Sequence, residues 1–353
     1  MSQPPTEAAE ARGPQTRWWQ ALLLITAAVV VCGLVVELAA RAVSFSMGKG
    51  FWSRPHSFES AFFVTYDWPP PLIEGERGTF RDGQTLAMRK APGELRVICL
   101  GGSTTVNARN AEGLTYSGVL QETLAPRFED HSLQILNAGG DAFASAHSLA
   151  NLSLRLVHFE PDVVTVLHNI NDLTATYYGT HLLPDYSNKY LDDTFLAYEH
   201  RGGFGGSLFR VSRGLQMLKW RWTFLRTTLE PSSRGPGVAN PDLGLKVFKS
   251  NLTSIVAVSR AHGARPILLT QAHRDGEESA EGGRFRLYNA AVRRVAEEQG
   301  AAWVDLSQSL SGHEPYFLDA VHFTSPGVRA VAREIEPVLE QEIRGSLRGA
   351  EPP

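Results

Sequence analysis

The sequence predicts an α/β domain, a parallel sheet with helices on both faces, preceded by one N-terminal transmembrane helix. Two observations carry the prediction. From about residue 93 onward, short apolar runs ended by glycine or turn residues alternate with amphipathic runs of helix length, the pattern of a parallel sheet buried on both sides. Upstream, the 19 residues from Trp18 to Val36 (WWQALLLITAAVVVCGLVV) carry no charge. As a helix rising about 1.5 Å per residue they cover roughly the 30 Å core of a bilayer.

Composition narrows the function. With 34 Lys+Arg against 37 Asp+Glu the net charge is −3, too weak a field for a general nucleic-acid binder. Nucleic acid is therefore not expected as the main partner. The two cysteines, Cys32 and Cys99, supply neither a disulfide framework nor a CxxC metal site.

In chain order, residues 1–17 read as a short tail and 18–40 as the membrane helix. Trp18 and Trp19 stand at its start, where an indole favours the headgroup region, and Arg17 and Arg41 bracket it. A cleaved signal peptide, cut near Ala39, Ala40 or Ala42, is the alternative, but its apolar core normally spans only about 7 to 15 residues. Basic residues lie on both sides, so the charge rule leaves orientation open. Glu37 and Arg41 are spaced to pair on one helix face. Residues 41–92, with FWSRPHSF and YDWPPPLIEG, suit an extended membrane-proximal connector. The folded domain is expected over 93–345, with an insertion over about 175–240.

Within that domain ELRVICLGG, SLQILNAGG, PDVVTVLHNIND, ARPILLTQA and AAWVDLS read as strands. Helices are expected over TYSGVLQETLAPRF, SAHSLANLSLRLVHF, NPDLGLKVFKSNLTSIVAVSRAHG, RLYNAAVRRVAEEQG and SPGVRAVAREIEPVLEQEI. Inside the insertion, Ser207 to Leu229 places Leu208, Val211, Leu215, Leu218, Trp222, Leu225 and Leu229 on one helical stripe with arginines and lysines on the other faces. Such a basic amphipathic helix packs on the domain or serves as a lid or membrane-surface contact.

In sheets of this kind functional groups gather outside the carboxyl ends of the strands. The first strand ends in Gly101-Gly102-Ser103-Thr104, where glycines would permit unusual backbone angles. The second ends in Asn137-Ala138-Gly139-Gly140-Asp141-Ala142 and the third in His168-Asn169-Ile170-Asn171-Asp172; after the last come Asp319 and His322. Taken singly, each has a plainer reading: a strand end or phosphate cradle (without a Walker lysine), a turn, a capping acid, a surface histidine. Together they supply what acyl transfer requires, a serine, a base to take its proton, a carboxylate to orient the base, and donors for the oxyanion.

In these four segments, and in their order, the chain resembles the SGNH or GDSL-type serine hydrolase family, over roughly Gly93 to Glu340. It is most similar to membrane-anchored bacterial members in which an apolar helix ending in Glu and Arg precedes the catalytic domain. The resemblance implies a three-layer α/β/α sandwich of flavodoxin-like type and metal-free ester chemistry without a cofactor. It further implies Ser103 as nucleophile, His322 as base and Asp319 as its orienter, with an oxyanion hole from the N–H groups of Ser103 and Ala142 and the Asn171 side chain. Two positions depart from the family pattern. Ala142 stands where a glycine is usual; its N–H still serves the oxyanion hole if the residue keeps negative φ, whereas positive φ would cost an alanine about 1 kcal/mol. A shifted frame would make Gly139 or Gly140 the donor. Asn169 also replaces a glycine and would place a bulkier polar group near the pocket.

His168 and His273 end strands and are candidates for lining that pocket. His147, His158, His168 and His273 lack i, i+4 histidine pairing or nearby ligating carboxylates, so no metal site is expected. The acceptor sequons at Asn151 and Asn251 fall in helical patterns and read as incidental. The expected partners are an acylated small molecule, glycan or lipid, and the membrane through the N-terminal helix; the family resemblance implies that the catalytic domain lies outside the cytoplasm. The alternatives are an O-acyltransferase using the same three residues, and a non-catalytic binding or assembly module of the same fold.

Overall fold

The computed structural model describes residues 18–46, 71–107, 110–176, 212, 214–215, 217–218, 241–278 and 283–350. The chain divides into two units, Met1–Ser57 with Tyr198–Ser233, and Phe58–Ala197 with Arg234–Pro353.

In the first unit, helix α1 runs from Trp18 to Ser46. Its stretch Trp18–Val43, with mean hydropathy 2.7, is long and apolar enough to cross a membrane, as a signal sequence can also be. Arg41 Nε donates to Glu37 at 2.8 Å, the pairing expected one helical turn apart. Glu37 also accepts from Ser212 Oγ at 2.7 Å and from the Gly214 N–H at 2.9 Å. Most of the amphipathic stretch 207–229, and most of the insertion over 175–240, lies outside the described residues.

The second unit is built on five parallel strands, β4 (Glu94–Gly101), β5 (Ser132–Asn137), β6 (Val163–Leu167), β7 (Arg265–Leu269) and β8 (Ala302–Val304), in the order β5-β4-β6-β7-β8. Numbered within the sheet this is 2-1-3-4-5, the flavodoxin-like order, whose direction reverses between β4 and β6. Alternation along β4 sends Ile98 and Leu100 to one face and Val97 and Cys99 to the other. On the first face they meet Leu152 of α4 (Ser145–Leu154), Phe248 of α6 (Pro241–Ala261) and Val292 of α7 (Arg284–Gln299). On the second they meet Leu120 of α3 (Tyr116–Leu124) and Ile335 and Leu339 of the closing helix α8 (Ser325–Ala350). The result is a three-layer α/β/α sandwich. Truncating one of these side chains to alanine costs about 2–5 kcal/mol.

Two features differ from the sequence reading. Residues 72–87, placed by sequence in the connector, form an antiparallel sheet of three short strands, β1 (Leu72–Glu74), β2 (Arg77–Thr79) and β3 (Thr85–Ala87). Its tip lies along edge strand β5, with the Arg81 N–H donating to Asn137 O at 3.1 Å and the Asn137 N–H to Asp82 at 3.2 Å. An otherwise open sheet edge is thus covered. Three-residue strands carry too little alternation to be read from sequence. The third strand also stops earlier than expected, at Leu167, and Ile170–Ala175 is helix α5.

Candidate active site

Strand β4 is buried along almost its whole length and ends at Gly101; Ser103 then opens the four-residue helix α2 (Ser103–Val106). Neither Gly101 nor Gly102 adopts positive φ, so the expected reason for these glycines is corrected: the constraint is space. A Cβ on Gly101 would lie 2.0 Å from Thr105 Oγ1 and 2.9 Å from Leu167 O, and one on Gly102 would lie 2.5 Å from Asn171 Nδ2. The bare backbone lets α2 and the Asn171 amide close on the turn that presents Ser103.

Asp319 and His322 sit in a tight loop between Phe317 and Phe323, which bridge to each other and bury both rings in the core. The Leu318 N–H donates to His322 O at 2.7 Å, and the Arg274 N–H to Ala320 O at 2.8 Å. Thus held, His322 Nε2 lies 2.8 Å from Ser103 Oγ, and its Nδ1 lies 2.8 Å from both Asp319 oxygens. Partial burial raises the Asp319 pKa, but the His322 and Val321 N–H groups and the imidazole outweigh it and hold the carboxyl at about 2. Such a carboxylate only accepts, which places the imidazole proton on Nδ1 and leaves Nε2 to accept from the serine hydroxyl. Ser103, His322 and Asp319, up to 219 residues apart in sequence, are therefore one hydrogen-bonded chain.

The β5–α4 loop faces this chain. Ala142 has φ +59°, not the negative φ on which its N–H was expected to serve the oxyanion hole, and so takes the left-handed conformation expected to cost an alanine about 1 kcal/mol. It lies in a turn closed by the Phe143 N–H donating to Gly140 O at 3.1 Å, and Asn171 Nδ2 donates to Phe143 O at 2.9 Å. The Gly139 N–H donates to Asn137 Oδ1 at 3.0 Å and the Gly140 N–H to Gly101 O at 3.1 Å. Both glycines serve to let the loop lie close, since a Cβ on Gly139 would meet the Val106 nitrogen at 2.9 Å.

Three residues expected to line the pocket turn inward. Asn169 is buried, and its Nδ2 donates to Phe285 O at 2.9 Å and Asn289 Oδ1 at 2.8 Å. It braces α5 against α7. His273 packs edge-on against Phe285, its Nδ1 accepting from the Asp275 N–H at 3.1 Å. His168 is buried with Nε2 2.8 Å from Ser148 Oγ and, contrary to the sequence reading, has a carboxylate nearby, Asp172 Oδ2 at 3.9 Å from Nδ1. Both sequon asparagines are buried in helices, and Asn251 Nδ2 donates to Ser145 Oγ at 2.9 Å.

Sequence reasoning passed over Asp172 as the partner of Ser145. Its fully buried carboxylate accepts the Ser145 N–H at 3.0 Å and the Ser145 hydroxyl.

Residues 99–330 match the GDSL-like lipase/acylhydrolase family. Among solved structures, Axe2, an acetylxylan esterase from Geobacillus stearothermophilus, is 17% identical over 70% of this chain and 94% of its own, with a TM-score of 0.45. LAE5, an alpha/beta hydrolase enzyme from the metagenome of Lake Arreo, Spain, is 17% identical over 70% of this chain and 95% of its own, with a TM-score of 0.43. The acetyl xylan esterase AlAXEase is 16% identical over 69% and 99%, with a TM-score of 0.44. No curated protein matches the sequence.

Proposed function

Given that this chain belongs to the GDSL-like lipase/acylhydrolase family and is an ester-hydrolysing enzyme, we propose that Ser103, His322 and Asp319 are its catalytic triad. The observation that carries this reading is the continuous chain of 2.8 Å contacts from Ser103 Oγ through the imidazole to the Asp319 carboxylate. Ser103 Oγ attacks the ester carbonyl while His322 Nε2 takes its proton, and Asp319 holds the tautomer and stabilises the imidazolium. The imidazolium then protonates the leaving alkoxide. In the second half, His322 deprotonates a water that attacks the acyl-enzyme carbonyl and returns Ser103 free.

Negative charge on the tetrahedral oxygen is met by three donors. These are the Ser103 N–H, which at the first position of a helix has no intrahelical acceptor, the Ala142 N–H, and the Asn171 amide. Donors fixed before reaction need no reorganisation as charge develops, and losing one costs about 10²–10³ in rate.

The substrate we propose is an O-acyl ester on an envelope glycan or lipid. The length and apolar character of helix α1 support this reading, in which the helix holds the hydrolase at a membrane with its catalytic domain outside the cytoplasm. The full-length protein in detergent micelles should hydrolyse p-nitrophenyl acetate, and Ser103→Ala should abolish that turnover. Undiminished turnover by Ser103→Ala would remove the proposal.

A further inference from the structure

Ala142 holds a left-handed conformation that an alanine adopts at a cost of about 1–2 kcal/mol. Strain of this kind persists only where surrounding contacts over-determine it, and it gathers at functional sites. The contacts here are specific. On one side, the Gly140 N–H is tied to Gly101 O, the end of the strand that delivers Ser103. On the other, Phe143 O is tied to the Asn171 amide and the Ser145 N–H to both oxygens of Asp172. Asp172 also accepts the Ser145 hydroxyl, which in turn accepts Asn251 Nδ2 of α6. Asn171 and Asp172 are adjacent on α5, so one helix start grips both ends of the segment 143–145 that follows Ala142.

We propose that Asp172 is a positioning residue for the oxyanion hole: it clamps the β5–α4 loop onto α5 so that the Ala142 N–H and the Asn171 amide converge on one point beside Ser103. This rests on the esterase reading above. The clamp touches neither substrate nor nucleophile. One buried carboxyl group thus holds both the backbone and the hydroxyl donor of Ser145. A shift of the loop by a fraction of an ångström withdraws one oxyanion donor in the transition state while leaving ground-state binding of the ester intact.

The test uses full-length protein in detergent micelles with p-nitrophenyl acetate. Asp172→Asn, which keeps shape but points an amide toward Ser145, should lower kcat by about 10- to 100-fold with KM changed by less than about threefold. Ser145→Ala, which keeps the backbone donor and disturbs folding less, should lower kcat by about three- to tenfold in the same way. A merely structural role would multiply independently with loss of the Asn171 amide. A clamp predicts instead that Asp172→Asn costs much less in an Asn171→Ala background, because the two act on one hole. Full multiplication of the two losses, or kcat within twofold of wild type in folded Ser145→Ala and Asp172→Asn proteins, overturns the clamp. Ser103→Ala is run alongside: if it retains turnover, the esterase reading fails first, and a dead Ser103→Ala with unaffected clamp variants isolates the failure to Asp172.

Discussion

Two serine–histidine–aspartate groupings among the described residues contrast in what a catalytic site requires. In one, Ser103, His322 and Asp319 are joined by 2.8 Å contacts, and the Asp319 side chain is 40% exposed. In the other, Ser148 Oγ lies 2.8 Å from His168 Nε2, but Asp172 stands 3.9 Å from His168 Nδ1, beyond hydrogen-bond range, and all three are buried. Residue types are the same. What differs is the engagement of the carboxylate and access to the hydroxyl: Asp319 is given to its histidine, whereas Asp172 is given to the Ser145 N–H and hydroxyl. The open grouping sits at the carboxyl edge beside the switch between β4 and β6, where a substrate can enter. The closed one lies behind it and braces the loop.

The sharpest way to break this contrast is by histidine and serine replacement. His322→Ala should lower kcat on p-nitrophenyl acetate by about 10⁴-fold or more, whereas Ser148→Ala should keep it within about threefold of wild type. A large loss in Ser148→Ala would erase the distinction. Next in size, Asp319→Asn should reduce kcat by about 10³- to 10⁴-fold, because an amide facing Nδ1 favours the wrong tautomer. A change of less than tenfold would show the orienter to be dispensable.

The pH profile sharpens the comparison further. With its carboxyl held at about 2, below the ordinary 3.8, Asp319 remains ionised through the working range. No limb of the activity profile above about pH 4 should therefore belong to Asp319. An acid limb in that range that disappears in Asp319→Asn would contradict this. The same shift has a stability sign. A lowered carboxyl pKa favours the folded state at pH above 3.8, and that contribution disappears as pH falls toward 2.

Two small-residue changes test packing against strain at the same turn. Gly101→Ala drives a Cβ into Thr105 and the Leu167 carbonyl and should lower the melting temperature by roughly 5–10 °C. Ala142→Gly relieves the left-handed strain, partly offset by the greater freedom of glycine in the unfolded chain, and should raise it by about 1–3 °C. A Gly101→Ala protein as stable as wild type, or an Ala142→Gly protein with a lowered melting temperature, would contradict the account.

The parallel sheet was legible because its strands are nearly continuous apolar runs and its helices keep a clear period. The meeting of Ser103 with the Asp319–His322 loop could be anticipated because Ser103 follows the end of the first strand of such a sheet and Asp319 and His322 come after its last strand. What escaped the sequence has physical causes. Glycine at 101 and 102 announces a turn but does not distinguish backbone freedom from closeness of a neighbour. Asn169 looked like a pocket residue because its strand end faces the site, yet its amide is drawn inward by the Phe285 carbonyl and the Asn289 amide. The union of Asp172 with Ser145 and Asn251 joins three helices at separations of 27 and 106 residues. No local pattern encodes such contacts.

The central claim is that one hydroxyl among these serines is the nucleophile, and it is tested most directly by treating the full-length protein with a fluorophosphonate and locating the adduct by mass spectrometry. The account predicts a single phosphonylated residue, Ser103, lost in His322→Ala, with Ser148 and Ser145 unmodified. An adduct on Ser148, or stoichiometric labelling that survives Ser103→Ala, would contradict it.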